Sequence, residues 1–451
     1  MLSLLRPNDY EYSKLLEQEK NRETVVLYNI QKPIILCLHL PIINMYIGFS
    51  KNAFLSLTFL IYLFSFSALV CALHTITPSL LIQEPETISS NNSIFTLGFF
   101  RSENSTNRYF GIWLMTESTI VWVANRNNPL TDSSGVLTIS ENGNLLVLNG
   151  QKKVVWSTNV SHITANSSAQ LLDSGNLVLV DGITGAMIWE SFQHPCDTLL
   201  HDMKLSTNQR TGEKVQLTSW RSTSEPSSGE FSCSLEHLNF AQVFVWKDNR
   251  PYWRSGPWNG SDILGVPWRS STLGNGLQVK EEEGTVEVSF HFTDKSLLMI
   301  YTIDSQGRLE QRGWNFQKNI REVGWVTGDF ECDVYGKCGP FGICNKQSSP
   351  ICSCLRGFEP NNKEEWARQN WTGGCVRREA LQCERDNNNV SQGGQADGFL
   401  KVGKCLGCMF WNGDLVDLMS NSPAGVDLYL RLGSSELGTF FNSRNFINAL
   451  D

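Results

Sequence analysis

Catalysis needs a nucleophile, an acid or base, or a metal at a workable spacing, and this chain offers little of that. Its seven histidines, His39, His74, His162, His194, His201, His237 and His291, include no His-Glu-x-x-His pair. No Gly-x-Ser-x-Gly elbow is present. His194 and Asp197 flank a cysteine in "HPCD", but Pro195 separates the two and an oxidised Cys196 is no nucleophile. Cys196 and Cys233 form a candidate pair with each other. No catalytic residue, cofactor or metal site is expected. What remains is recognition chemistry. "SENGNLLVL" (Ser140–Leu148) and "LDSGNLVLV" (Leu172–Val180) alternate polar and apolar residues around a shared Gly-Asn-Leu. If both are strands, period two puts Ser140, Asn142, Asn144, Leu146 and Leu148 on one face. It does the same for Leu172, Ser174, Asn176, Val178 and Val180. Asn142, Asn144 and Asn176 are the amides those faces would offer to a ligand.

The elements around these residues repeat. "IVWVAN" (Trp122), "VVWSTN" (Trp156) and "MIWESF" (Trp189) fall 34 and 33 residues apart. "GNLLVL" precedes the second and "GNLVLV" the third, and "FTLGFF" (Phe95–Phe100) fills the same place in the first unit. The repeating pieces are short runs of period two, so β-strands are expected. Three such units, each too small to bury its own face, would close around a shared core to which each gives one tryptophan. The fold class expected is mainly β. From Val286 the run through Trp314 also reads as antiparallel strands, with a turn at Ser305-Gln306-Gly307.

The 451 residues suggest two to four domains of roughly 100–200 residues each. A net charge of −8 with no basic block argues against nucleic acid as a partner. Asn-x-Ser/Thr occurs at Asn91, Asn104, Asn159, Asn166, Asn259, Asn370 and Asn389, all downstream of the uncharged segment Asn52–Ala72. That segment reads as a signal-peptide core, with Val70 and Ala72 as the small residues before a cleavage site, or as an uncleaved anchor. Residues 1–44 read as an upstream extension of the reading frame, with Met45 as a natural start. A secreted, glycosylated chain in an oxidising compartment is the expectation, with the plasma membrane as the alternative. Nine of the 13 cysteines crowd between Cys332 and Cys408. Such a cluster is a disulfide framework or a zinc site, and secretion favours disulfides.

The strings "PETISSNNSIFTLGFF", "RYFGIW", "VWVANRNNPL", "AQLLDSGNLVLVD" and "IWESFQHPCDTLLHDMKL" together resemble the bulb-type lectin domain of the plant S-locus glycoprotein and G-type lectin S-receptor-like serine/threonine kinase family. The resemblance implies a bulb-type lectin β-prism over 73–193. "LTSWRSTSEPSSGEFS", "PYWRSGPWNG" and "WNFQKN" resemble the S-locus glycoprotein domain, placed at 219–328. The cysteine order from Cys332 resembles an EGF-like module over 329–376. By that resemblance the pairs are Cys332–Cys344, Cys338–Cys352 and Cys354–Cys375, one of the 15 connectivities that six cysteines allow. "TGDFEC" fits the calcium-binding pattern of such modules poorly, so no calcium is expected. Residues 383–433 resemble a PAN/apple-like unit whose middle is missing. Cys383 and Cys408 would form its outer bridge, and Cys405 has no evident partner. A tail, 434–451, follows.

The family's mannose pattern is Gln-x-Asp-x-Asn-x-Val-x-Tyr. By that resemblance Asn142, Asn144 and Asn176 are the candidate carbohydrate-binding residues, but only one Asn of each strand stays in register, which implies that mannose affinity is weak or lost. Receptor members add a transmembrane helix and a kinase. This chain has no apolar run of 18 residues after Ala72 and no kinase motif, so it is not expected to be an enzyme. The resemblance implies recognition of a peptide or glycan at the cell surface, as in pollen recognition or defence signalling, with full-length receptor kinases as further partners. The alternatives are a working mannose-binding lectin and a truncated product of a receptor kinase gene.

Overall fold

A computed structural model describes residues 75–381, apart from a few short stretches, together with 398–401, 413–419, 429–432 and 434–437. The apolar segment at 52–72, the upstream residues, Asn104, Asn389, Cys383, Cys405 and Cys408 lie outside the described residues.

The first half begins with three short strands: β1 (Thr75–Ile76), β2 (Ile82–Gln83) and β3 (Thr87–Ser89). Nine more follow as three meanders. They are β4 (Phe95–Arg101), β5 (Arg108–Leu114) and β6 (Thr119–Val123); β7 (Val136–Ile139), β8 (Leu145–Leu148) and β9 (Val154–Ser157); and β10 (Ser168–Leu171), β11 (Leu177–Val180) and β12 (Met187–Glu190). Each short strand joins the edge of a different meander, giving sheets β3-β4-β5-β6, β2-β7-β8-β9 and β1-β10-β11-β12. The leading segment therefore staples all three sheets of a β-prism.

The last strand of each meander carries the repeated tryptophan. Trp122, Trp156 and Trp189 meet edge to face at ring separations of 5.8, 6.1 and 5.7 Å. Edge-to-face pairs of this kind add about 0.5–1.5 kcal/mol each beyond area burial. Trp122 Nε1 also donates to His194 O at 2.9 Å.

The second half repeats the itinerary. It comprises β13 (Thr198–Leu199), β14 (Lys204–Asn208), β15 (Lys214–Val215), β16 (Leu217–Ser222), β17 (Glu225–His237), β18 (Ala241–Lys247), β19 (Arg250–Arg254), β20 (Leu277–Glu282), β21 (Thr285–Phe290), β22 (Leu297–Ile303), β23 (Leu309–Asn315) and β24 (Ile320–Val326). The sheets are β16-β17-β18-β19, β15-β14-β21-β20 and β13-β22-β23-β24. Its strands start at Thr198, upstream of the Ser219 expected from sequence. The middle sheet departs from the pattern: the hairpin β20–β21 stands in place of a meander, and β14–β15 completes four strands.

A local device recurs five times across the two prisms. Ile112, Val147, Leu179, Val245 and Gln311 each face a tryptophan on the next strand, and the register breaks immediately afterwards. Such bulges add twist where a sheet must curve. Two residues beyond four of those tryptophans a hydroxyl accepts a backbone N–H. Thr158, Ser191, Ser255 and Thr327 accept from Leu145, Leu177, Val243 and Leu309 at 2.8–3.2 Å. Asn125, three residues beyond Trp122, accepts from Phe110 at 2.8 Å. The bond fills a ladder position that the sheet leaves open.

The two prisms share one continuous buried cluster, which includes Leu97, Leu145, Leu199 and Val243. Arg126 reaches from the first into the second, donating to the carbonyls of Thr218, Ser219 and Pro226 at 2.8–3.2 Å. Cys196 lies here, its sulfur held by the backbone of Val123. The expected Cys196–Cys233 pair does not form: both thiols are free and buried. Cys233 is locked in β17 between Leu217 and Val245, while Cys196 belongs to the seam with β6.

The third region has little core and is stapled. Disulfides join Cys332 to Cys344, Cys338 to Cys352 and Cys354 to Cys375. Its strands are β25 (Gly342–Cys344), β26 (Cys352–Cys354), β27 (Phe358–Pro360) and β28 (Cys375–Arg377), with helix α1 (Lys363–Ala367) between the last two. Asn362 caps α1, accepting from Glu364 N and Glu365 N. Strands β29 (Gly398–Lys401), β30 (Leu418–Met419) and β31 (Tyr429–Leu432) follow, with β29 paired to β31 and β30 to β25. Arg254 of the second prism bonds Asp417 Oδ2 at 2.8 Å, while Asp417 Oδ1 accepts from Gly336 N at 2.6 Å. Burial raises the Asp417 carboxyl above the ordinary aspartate range, against the pull of Gly336 N–H and Arg254.

Candidate carbohydrate-binding face

The strand expected from Ser140 begins only at Leu145. Ser140–Asn144 is the hairpin turn joining β7 to β8, closed by Ser140 N to Asn144 O at 2.8 Å and by Gly143 N to Ser140 O at 2.8 Å. The second copy does the same, with Leu172 N to Asn176 O at 2.9 Å and Gly175 N to Leu172 O at 3.0 Å. Both glycines have left-handed φ, 81° and 86°, which a side chain would strain. The shared glycine therefore makes a turn, and only the residues from Asn144 and Asn176 onward alternate as strand.

The two asparagines face inward work. Asn144 is buried; its Oδ1 accepts from Thr158 Oγ1 at 2.9 Å and Val160 N at 2.8 Å, and its Nδ2 donates to Val160 O at 3.2 Å. Asn176 is buried in the same position of the next sheet. Its Oδ1 accepts from Ser191 Oγ at 3.1 Å and Phe192 N at 3.3 Å, and its Nδ2 donates to Glu190 Oε2 at 2.7 Å. Each amide closes the corner where its meander leaves the last strand. Asn142 is exposed at the tip of its turn, where its Oδ1 accepts from Ser140 Oγ. Beyond the asparagines the alternate row is apolar: Leu146, Leu148 and Val180 are half-buried and Val178 is buried. The structure therefore does not gather the three amides into one exposed polar row.

Sequence spacing missed an open pocket of about 240 Å³ beside Asn176, lined by Met187, Ile188, Trp189, Glu190, Gln193 and His194. The His194 ring stacks on Trp189 at 5.4 Å and 12°. Burial lowers the His194 pKa from its ordinary value, while Glu190 pulls it back up. Glu190 Oε1 accepts from Gln193 Nε2 at 3.2 Å. Aromatic faces beside a carboxylate and an amide can pack sugar carbons and bond hydroxyls. The signal in the sequence was the departure of "WESFQH" from the two other tryptophan motifs. The sequon asparagines Asn91, Asn159, Asn166, Asn259 and Asn370 are all exposed.

Two family models match the chain: a D-mannose binding lectin over residues 119–221 and an S-locus glycoprotein domain over residues 253–362. A G-type lectin S-receptor-like serine/threonine-protein kinase of Arabidopsis thaliana is 41% identical over 79% of this chain and 48% of its own length. Another from the same plant, SD1-13, is 39% identical over 84% of this chain and 51% of its own length. The chain thus spans about half the length of these curated relatives. Among solved structures, a monomeric monocot mannose-binding lectin from Gastrodia elata aligns over 26% of this chain and 96% of its own, at 15% identity and a TM-score of 0.22. The two-domain Scilla campanulata agglutinin aligns over 57% and 88%, at 11% identity and a TM-score of 0.20. Over the half of its relatives' length that it spans, the chain belongs to the G-type lectin S-receptor-like family, with a bulb-type lectin prism followed by an S-locus glycoprotein domain.

Proposed function

We propose that this chain recognises an extracellular peptide or glycan at the plant cell surface and that mannose binding through the Gly-Asn-Leu strands is weak or lost. The observation behind the second part is that Asn144 and Asn176 spend their amides on the scaffold, while the row beyond them is Leu146, Leu148, Val178 and Val180. A hydroxyl laid on that row finds no free partner, and an unmet polar group costs about 1–3 kcal/mol. The exposed sequons and the three disulfides support a secreted, glycosylated chain in the apoplast or at the plasma membrane. The stapled region reads as an EGF-like module, and β29 with β31 as part of a PAN/apple-like unit.

Full-length receptor kinases of the family are proposed partners, with pollen recognition or defence signalling as the process. Phosphoryl transfer is not assigned to this chain, which carries no kinase motif. A second reading, a working lectin, is favoured by the pocket at Trp189, Glu190, Gln193 and His194. A glycan array with mannose-agarose retention separates the two. The first reading expects no mannose retention; micromolar retention that Asn142→Ala abolishes would overturn it. Glycan binding lost in Gln193→Ala would assign the pocket instead.

A further inference from the structure

We propose that His201, Asp202 and His291 form a binding site for a divalent transition-metal ion such as Zn²⁺ on the second prism. His201 and Asp202 are adjacent, but His291 lies 89 positions beyond Asp202, which is why spacing gives no hint of the trio. The antiparallel pairing of β14 with β21 brings the turn before β14 beside the residue that follows β21. Asp202 N donates to Phe290 O at 3.1 Å and fixes that meeting.

The geometry is compact. Both histidines present Nδ1 to the same carboxylate: His201 to Asp202 Oδ2 at 2.9 Å, and His291 to Asp202 Oδ1 at 2.6 Å. The two rings lie 4.8 Å apart. Every ligand atom of the trio is within 4.8 Å of the others. Two imidazoles and one carboxylate are a donor set suited to Zn²⁺, Ni²⁺ or Cu²⁺. Asp202 and His291 are exposed at 47% and 42%, so a fourth position stays open to water.

Two further observations support a ligand there. Asp202 holds a left-handed backbone, φ 65°, a conformation that glycine adopts at lower cost. A carboxylate side chain is kept at that position, and it points at both histidines. The His201 ring is also braced for either protonation pattern. Phe292 N donates to its Nε2 at 2.7 Å, and Phe292 O lies 3.2 Å from the same nitrogen. Without metal, Nε2 accepts from Phe292 N–H and Nδ1–H donates to Asp202. With metal on Nδ1, Nε2 carries the proton and donates to Phe292 O, the usual outer partner of a ligating histidine. Binding replaces the Nδ1 protons facing Asp202 with the ion and releases protons to solvent as the ligands require.

The test is calorimetric titration of the EDTA-treated full chain with Zn²⁺ alone, repeated on His291→Ala and Asp202→Asn, with His237→Ala as a control away from the trio. One ion per chain is expected. Affinity should fall at least tenfold in each trio variant and stay unchanged in the control. Co²⁺ in the unaltered chain should give a visible band of tetrahedral intensity without thiolate charge transfer, a result that does not depend on how the variants fold. Absence of binding, binding that the trio variants leave intact, or a thiolate band would overturn the proposal.

Discussion

The two prisms share a strand itinerary but not a symmetry. In the first, three tryptophans meet from three meanders. In the second, Trp253 on β19 and Trp325 on β24 meet at 6.0 Å, and among the described residues no tryptophan comes from the middle sheet, where a hairpin stands in place of the meander. The bulge after the tryptophan's partner and the hydroxyl two residues beyond survive on β19 and β24. The comparison teaches that curvature and the filled ladder position belong to the individual meander. The three-way aromatic contact belongs to the assembly, and it disappears when one meander is shortened.

The sharpest way to break this comparison is to remove one ring from each prism. Trp189→Ala removes contacts with Trp122, Trp156 and His194 from a buried site and should cost about 4 kcal/mol; Trp325→Ala removes the contact with Trp253 from a half-buried site and should cost about 2 kcal/mol. Urea unfolding measures both, and equal costs would break the distinction.

The seam comes next. Arg126→Ala strips the donors from three carbonyls and removes the positive charge that favours ionised Asp197, an expected loss of about 3 kcal/mol. Burial pushes the Asp197 carboxyl up to about 6, against Arg126, which pulls it down. The folded state then holds that proton more tightly than the unfolded chain. Its stabilisation is fully present below about pH 4, where the unfolded carboxyl also protonates, and is lost as pH rises through about 6. The stability of the unaltered chain relative to Asp197→Asn should therefore fall between those values and stay flat above them. A flat difference throughout would show that Asp197 titrates normally.

The smallest effects test the shared device. Ser191→Ala in the first prism and Ser255→Ala in the second each leave a buried N–H unpaired, at about 1–2 kcal/mol. Similar losses are expected, measured by thermal unfolding; a loss confined to the first prism would mean that the second closes differently.

Much of the first prism was legible in the sequence because its three units keep tryptophan, strand and turn at a near-constant period of 34 and 33 residues. The second was legible only as strands, since its middle unit is shortened and no period survives. Its trace was Trp-x-Ser/Thr, at Trp253-Arg254-Ser255 and Trp325-Val326-Thr327, matching Trp156-Ser157-Thr158 and Trp189-Glu190-Ser191. The cysteine order of the third region carried its pairing only through resemblance, because spacing alone cannot choose among connectivities. The face around Asn144 and Asn176 was misread at its start. Period two was carried through Gly143 and Gly175, although Asn142-Gly143 and Ser174-Gly175 are turn dipeptides; both glycines take left-handed backbone and close a hairpin. The pocket at Glu190 is lined by one local stretch, Met187–His194, whose departure from the other tryptophan motifs was its only sequence signal, whereas the trio at His201, Asp202 and His291 depends on the pairing of distant strands, which periodicity does not encode.

The measurement that tests most directly whether the Gly-Asn-Leu amides are scaffold is the unfolding free energy of Asn144→Ala combined with Asn176→Ala. Each change strands a backbone N–H, part-buried at Val160 and buried at Phe192, and a hydroxyl that the amide now serves, so the pair should lose about 3–4 kcal/mol. A double variant as stable as the unaltered chain would contradict the account and return both asparagines to the list of ligand-binding groups.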